Sequence, residues 1–326
     1  MGKMIKYSVV IPVYNASDTL RDCLDALIKQ SIPKEEYEII VVDDGSTDDT
    51  DKISREYPVK YIKQANHGPA SARNRGAKEA QGDKLLFTDS DCIPDFNWLE
   101  EMTQPFQDST VSAVKGSYKT KQRSLTARFA QIEFEERYEL LKRVTHIDMV
   151  DTYSAAFQKA VFFQAGGFDQ SFPVANNEDT DLSYKLSAMG LKMVFAPEAV
   201  VYHLRHPASP DRYFKQKFWR GYWRTVVYQR FPQKAVKDTY TPQTLKIQIL
   251  LIFALLGILF FSVIWPKGIY LAFFLALSFV FSAAPFVVFA FRRDRPVGIL
   301  SPFFLAWRSL SIGLGVLYSV IKKKFI

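Results

Sequence analysis

The chain has 326 residues, 48% of them hydrophobic, and a formal charge of +8, which suits one large or two ordinary domains with a buried core. Cys23 and Cys92 are its only cysteines, too few for a disulfide framework and without metal-site spacing, so free thiols in a reducing compartment are expected. Eight Lys or Arg and no Asp or Glu lie between Arg212 and Lys237, accounting for the whole excess charge. This block directly precedes an apolar tail, so it points to anionic lipid headgroups and away from nucleic acid.

The first ninety residues alternate apolar runs with amphipathic segments. Tyr7 to Asn15 (YSVVIPVYN) reads as a buried strand ending in a turn; Leu20, Leu24, Leu27 and Ile28 then mark one face of a helix. Because Val9 to Val13 is short and holds Pro12, it does not read as a secretory signal, and the front domain is expected in the cytoplasm. Strands are predicted at Tyr37–Ser46, Val59–Lys63 and Lys84–Asp91, and helices at Thr47–Tyr57 and Gly68–Ala80. This alternation predicts a largely parallel sheet covered on both faces, with ligands bound where strands end. Lys119 to Val144 predicts a further amphipathic helix.

Arg212 to Phe231 interleaves aromatic and basic residues, the pattern of an interfacial helix beside a membrane. Residues 247–265 and 269–291 carry no charge and are long enough to cross a bilayer, forming a hairpin. The third apolar segment, 297–321, holds Pro302 and Arg308, and basic clusters flank it: Arg292, Arg293 and Arg295 before, Lys322 to Lys324 after. Positive-inside bias puts both clusters in the cytoplasm, so this segment is expected to lie in the interface or to re-enter; a third span would place Arg308 in mid-membrane. The expected organisation is a catalytic domain over 1–210, a juxtamembrane helix over 211–240 and a membrane region over 241–326.

The strand-end residues carry the chemistry. LLFTDSDC drives an apolar run into Asp89 and Asp91, two residues apart; this pair is either a solvated turn or a seat for a divalent cation. In VVDDGSTDDT, Asp44 leaves a strand, and the segment serves either to cap the next helix or to accept hydrogen bonds from a nucleotide. No G-x-G-x-x-G or G-x-x-x-x-G-K-[ST] occurs, so a metal would have to do the work of a phosphate loop.

The series VVIPVYN, VVDDGSTD, NHGPASARNRGAKEAQGDKLLFTDSDC, GGFDQSF and NNEDTDLSYKLSAMG, spread over Tyr7 to His206, resembles the family 2 glycosyltransferases. The resemblance implies an α/β GT-A fold, Rossmann-like, with a mostly parallel sheet and helices on both faces, followed by a helical membrane region. By the same resemblance, Pro12, Val13 and Tyr14 line a base pocket, Asp44 binds the base, Arg73 sits near the nucleotide, and Asp83 lies beside base and ribose. Asp89, Ser90 and Asp91 form the ribose and metal motif, with Asp91 the direct ligand and His203, rivalled by His206, a further one. Asp179 is the general base, with Glu178 its neighbour. Mn²⁺ or Mg²⁺ is the expected cofactor.

The implied activity is inverting transfer of a sugar from a nucleotide sugar, with uridine preferred, to a lipid-linked or cell-surface glycan acceptor at the cytoplasmic face. Processive synthases that resemble this family carry Gln-x-x-Arg-Trp, whereas this chain has Gln216-Lys217-Phe218-Trp219-Arg220, and a non-processive enzyme is favoured. The competing readings are a polyprenyl-phosphate sugar synthase and a non-catalytic sugar-nucleotide-binding scaffold.

Overall fold

The apolar runs of the front half become strands because Val9, Val10 and Ile11, and likewise Val41, Val42, Leu85, Leu86 and Phe87, lose all contact with solvent, a burial on both faces that a covered parallel sheet provides. A computed structural model describes residues 4–172 and 176–323. The chain divides into two units, one of Met1–Lys121 with Leu141–Arg205, the other of Gln122–Leu140 with His206–Ile326.

In the first unit β1 (Tyr7–Val13), β2 (Tyr37–Asp43), β3 (Lys60–Lys63) and β4 (Lys84–Phe87) alternate with α1 (Leu20–Leu27), α2 (Thr50–Arg55) and α3 (Pro69–Glu79). These strands are all parallel, so their carboxyl ends share one edge. Gly76 lets α3 lie directly on the sheet, since a Cβ there would run into Val10. Beyond Phe87 the chain adds β5 (Cys92–Pro94), α4 (Trp98–Thr103), β6 (Val111–Lys119), α5 (Leu125–Leu141), β7 (Ala155–Gln158), α6 (Lys159–Gln164), α7 (Glu178–Ala188) and β8 (Lys192–His203). The sheet runs β3-β2-β1-β4-β7-β6-β8-β5. Its second half is mixed: β7 is antiparallel to both β4 and β6, and β5 is antiparallel to β8. The β5 register sets Cys92 opposite His203.

The second unit takes all but the last residue of α5, then α8 (Pro210–Arg230), α9 (Pro232–Val236), α10 (Gln243–Phe261), α11 (Gly268–Arg293) and α12 (Arg295–Lys323). The 122–140 segment, expected in the front domain, belongs here because Phe129 and Ile132 share a core with Tyr213, Phe286 and Phe304. Within this unit α8 packs on α12 through glycines: a Cβ at Gly221 or Gly315 would run into the carbonyl of Ile312 or Phe218, the small-residue contact that lets helix backbones approach.

Helices α10, α11 and α12 are each long and apolar enough to cross a membrane. No break occurs at Pro302, which α12 carries inside one continuous helix. The two features that argued against a third span have partners. Arg308 is buried and bonds Glu133 Oε1 at 3.0 Å and Gln248 Oε1 at 2.7 Å. Arg293 pairs with Glu135 at 3.1 Å, and Arg128 makes two 2.7 Å bonds to Asp294, so the basic corner before α12 is partly neutralised. Lys324 of the other basic cluster lies outside the described residues.

Candidate active site

The exits of β1 and β2 are tied together first. Asp44 is buried, and its Oδ1 accepts from Gln64 Nε2 at 2.7 Å and the His67 N–H at 3.0 Å, while Oδ2 accepts from the Gly68 N–H at 2.8 Å. This fixes the turn that launches α3, where Gly68 has φ +88°, a conformation that costs glycine nothing. Pro12 is half-buried and Val13 buried at the end of β1, and Tyr14 is 53% exposed. Asn15, at φ +49°, accepts the Thr47 N–H on its side chain at 2.9 Å, stitching the two loops.

Arg73 projects from α3 with 2% of its surface exposed and joins two distant carboxylates: Nη2 donates to Asp89 Oδ1 at 2.7 Å, Nη1 to Glu178 Oε1 at 2.8 Å. Burial works against its charge, but Asp89, Glu178 and Asp179 more than offset this and raise its pKa. The GGFD turn supports it. Phe168 lies under the guanidinium at 5.8 Å and is clamped by Asn74, which donates to its carbonyl at 2.7 Å and accepts its N–H at 2.9 Å. Gly167, at φ +67°, is needed there because a Cβ would stand 2.8 Å from Asn74 Oδ1.

Asp91 faces a different partner. The β5–β8 register brings His203 Nε2 to 3.9 Å from Asp91 Oδ1, and His203 Nδ1 accepts the Arg205 N–H at 3.1 Å, the tautomer with its proton on Nε2; ligating a cation through Nε2 requires that this proton leave. Burial pushes the Asp91 carboxyl up, against the pull of His203 and Arg205 and with the push of Asp89. Donor atoms of Asp91, Cys92 and His203 lie within 4.8 Å of one another. Cys92 is buried, and burial, with Asp91 and Asp89 beside it, pushes its thiol well up; a protonated sulfur is a poor ligand for a hard cation. The carboxylate and the imidazole remain as an oxygen and nitrogen pair, the donor set that suits Mn²⁺ or Mg²⁺ with Mn²⁺ favoured by the nitrogen. The residues fit such an ion.

Asp179 and Glu178 open α7 after Asn177, whose φ is +71°. Glu178 is buried, held by Arg73 and by the Asn176 N–H at 2.6 Å. Asp179 is half-buried, and its Oδ1 accepts the Thr180 N–H at 2.6 Å. Asp181, the other acid of this turn, is paired with Lys185 at 2.8 Å.

One residue is not brought to this edge. Asp83 is exposed and precedes β4, so the four-residue strand, about 13 Å of rise, separates it from Asp89; its carbonyl accepts the Lys159 N–H instead. His206 belongs to the second unit, is buried, and exchanges backbone bonds with the side chain of Gln122, so His203 is the histidine grouped with Asp91. Ser90 is half-buried between the two aspartates. Sequence reasoning missed Cys92, Asn74, the Arg205–Asp18 pair and Lys115, which is buried in β6 and bonds Asp151 and the Tyr153 hydroxyl. The available signals were a lone Lys inside VSAVKGSYK and an Asn adjoining Arg73.

The family model for Glycosyl transferase family 2 matches residues 8–164. Glycosyltransferase AglE of Haloferax volcanii is 29% identical over 62% of this chain and 67% of its own length. A poly(ribitol-phosphate) beta-glucosyltransferase of Bacillus spizizenii is 47% identical over 34% of this chain but only 19% of its own length, so this chain spans a minor part of that relative. Among solved structures, the mannosyltransferase PcManGT of Pyrobaculum calidifontis, in complex with GDP-Man and Mn²⁺, superposes with a TM-score of 0.62 at 20% identity, over 98% of this chain and 88% of that one. The strand-end carboxylates, the mixed sheet and these likenesses agree: residues 8–164 match the family 2 glycosyltransferases, the fold is of the GT-A kind, and apolar helices follow.

Proposed function

We propose that this protein is a membrane-anchored, inverting glycosyltransferase that moves one sugar from a nucleoside-diphosphate sugar, of the uridine class, to a lipid-linked or surface-glycan acceptor at the cytoplasmic face. The observation that carries this reading is the carboxylate set Asp89, Glu178 and Asp179 gathered around a single buried guanidinium, Arg73, with Asp91 set against His203, in a family 2 domain. The mannosyltransferase neighbour holds GDP-Man and Mn²⁺, and GalNAc-T7, at a TM-score of 0.50, holds UDP, GalNAc and Mn²⁺.

The nucleotide would lie along the carboxyl edge of β1, β2 and β4. Pro12, Val13 and Tyr14 would wall the base. A carboxylate has about four lone-pair sites, and three donors occupy Asp44, leaving a site for a base N–H. Asp83, at the far end of β4, has no part in this pose. Asp91 and His203 would hold the divalent cation, with Asp89 and Ser90 toward the ribose; when bound, the cation offsets charge on the departing diphosphate.

Asp179 takes the proton of the acceptor hydroxyl as that oxygen forms its bond to the anomeric carbon. The bond from that carbon to the diphosphate oxygen breaks on the opposite face, and one such displacement inverts the centre. Glu178 never meets substrate: it holds Arg73 and so positions Asp89.

Membranes containing the protein should release nucleoside diphosphate from a sugar donor, and chelation should stop the release. Asp179→Asn should slow transfer about 10²- to 10⁴-fold with donor affinity preserved. Undiminished transfer would remove the base assignment.

A further inference from the structure

The strand register that sets His203 beside Asp91 also brings a sulfur to the same spot. Cys92 and His203 are directly opposed across the antiparallel β5–β8 pair, so their side chains share one face of the sheet. Asp91, the residue before β5, is tied to that pair by its own carbonyl, which accepts the Leu204 N–H at 2.9 Å. Three different donors result: Asp91 Oδ1 lies 3.9 Å from His203 Nε2 and 4.0 Å from Cys92 Sγ. One ligand atom from each of these residues falls within 4.8 Å of the others. Donors around a single tetrahedral ion, with bonds of about 2.0–2.3 Å, stand about 3.3–3.8 Å apart, so side-chain shifts of about 1 Å close the triangle.

The oxygen and nitrogen alone suit Mn²⁺ or Mg²⁺, but with the sulfur added the set becomes one that Zn²⁺ takes, three protein donors and an open fourth position. A bare thiolate is disfavoured at this buried position, so the sulfur serves only an ion that bonds it strongly enough to displace its proton, as Zn²⁺ does. Cys23, the other cysteine of the chain, directs its thiol to the Asp89 carbonyl at 3.7 Å instead. We propose that Asp91, Cys92 and His203 together bind Zn²⁺ through one oxygen, one sulfur and one nitrogen, in competition with the hard cation that Asp91 and His203 hold without Cys92. The thiol proton passes to solvent as the sulfur–zinc bond forms. The inference rests on the reading of Asp91 and His203 as cation ligands and adds to it a residue, Cys92, that sugar transfer leaves unused.

The test loads the full chain in detergent with an equimolar amount of Zn²⁺ and reads the X-ray absorption of the metal. A single sulfur at about 2.3 Å beside nitrogen and oxygen at about 2.0–2.2 Å is expected. A shell of nitrogen and oxygen alone would overturn the proposal, and this reading of the unaltered chain holds even if the variants misfold. Because Cys23 and Cys92 are the only cysteines, C23S and C92S assign the sulfur: it should survive C23S and vanish in C92S, and the reverse would overturn the assignment. Competition with a chromophoric chelator should show that C92S loses more Zn²⁺ affinity than the roughly 10- to 100-fold that removal of an outer-shell partner costs. Mn²⁺ affinity of the same variant, read by paramagnetic resonance, should change less than about tenfold; equal losses for the two ions would overturn the role of the sulfur in selecting zinc. Mn²⁺-dependent donor turnover, measured on zinc-free protein, keeps failure of the transfer reading distinct from failure here.

Discussion

Each unit buries a knot of charge, and the two knots have opposite stoichiometry. In the catalytic unit one cation, Arg73, holds Asp89 and Glu178, with Asp91 and Asp179 as further anions. In the helical unit one anion, Glu133, holds Lys217 at 2.7 Å and Arg308 at 3.0 Å, with Arg137 at 4.0 Å. Burial pushes the Glu133 carboxyl up, but Lys217, Arg308 and Arg137 outweigh this and hold it well below the usual carboxylate range. The Nε of Arg73 and the Nε of Arg308 both lack a hydrogen-bond partner, so neither knot is built for stability alone. The sign of the surplus charge therefore differs between the two knots.

Removing the minority charge should break either knot. Arg73→Met leaves Asp89 and Glu178 without their shared cation, and Glu133→Gln leaves Lys217 and Arg308 without their anion; each should cost about 3–5 kcal/mol. Thermal unfolding of the full chain in detergent would register both as large drops in Tm. Removing one majority charge should be milder, because the central group keeps another partner. Asp89→Asn leaves Arg73 on Glu178, and Lys217→Met leaves Glu133 on Arg308, each at about 1.5–3 kcal/mol. If majority and minority deletions prove equally damaging, the opposed stoichiometry has no energetic meaning and the two regions are ordinary buried ion pairs.

The same knots mark what the sequence could and could not disclose. Strands β1 to β4 were legible because continuous apolar runs such as VVIPV and EIIVVD end in polar turns, and the carboxylates at those ends were legible by position. The partner of Arg73 was not, since Glu178 lies 105 residues away and long-range pairing leaves no local pattern. Arg308 read as a penalty in mid-membrane for the same reason, its partner Glu133 being 175 residues distant. Cys92 reached the Asp91–His203 pair through the β5–β8 register, and the short β5, only three residues long, offers too little period to predict. Asp83 shared a motif with Asp89 yet sits across a strand from it, a separation that spacing alone conceals when the strand is read as continuing through Asp91.

A smaller effect tests whether burial, and not pairing alone, makes the knots costly to break. Asp48, half-exposed at the start of α2, accepts from the Thr50 hydroxyl and N–H and from the Ser17 N–H. Burial pushes its carboxyl up, but these bonds together outweigh it and hold the pKa at about 2. An unfolded aspartate titrates near 3.9. The folded value is depressed, so the stabilisation is complete above about pH 4 and is lost as pH falls through about 2. Solvent screening at this partly exposed site limits it to roughly 1 kcal/mol. Asp48→Asn should therefore flatten the fall in Tm between about pH 4 and pH 2 and change neutral stability far less than Arg73→Met does. An equally large loss from this exposed carboxylate would show that hydrogen bonding alone, without burial, sets the cost.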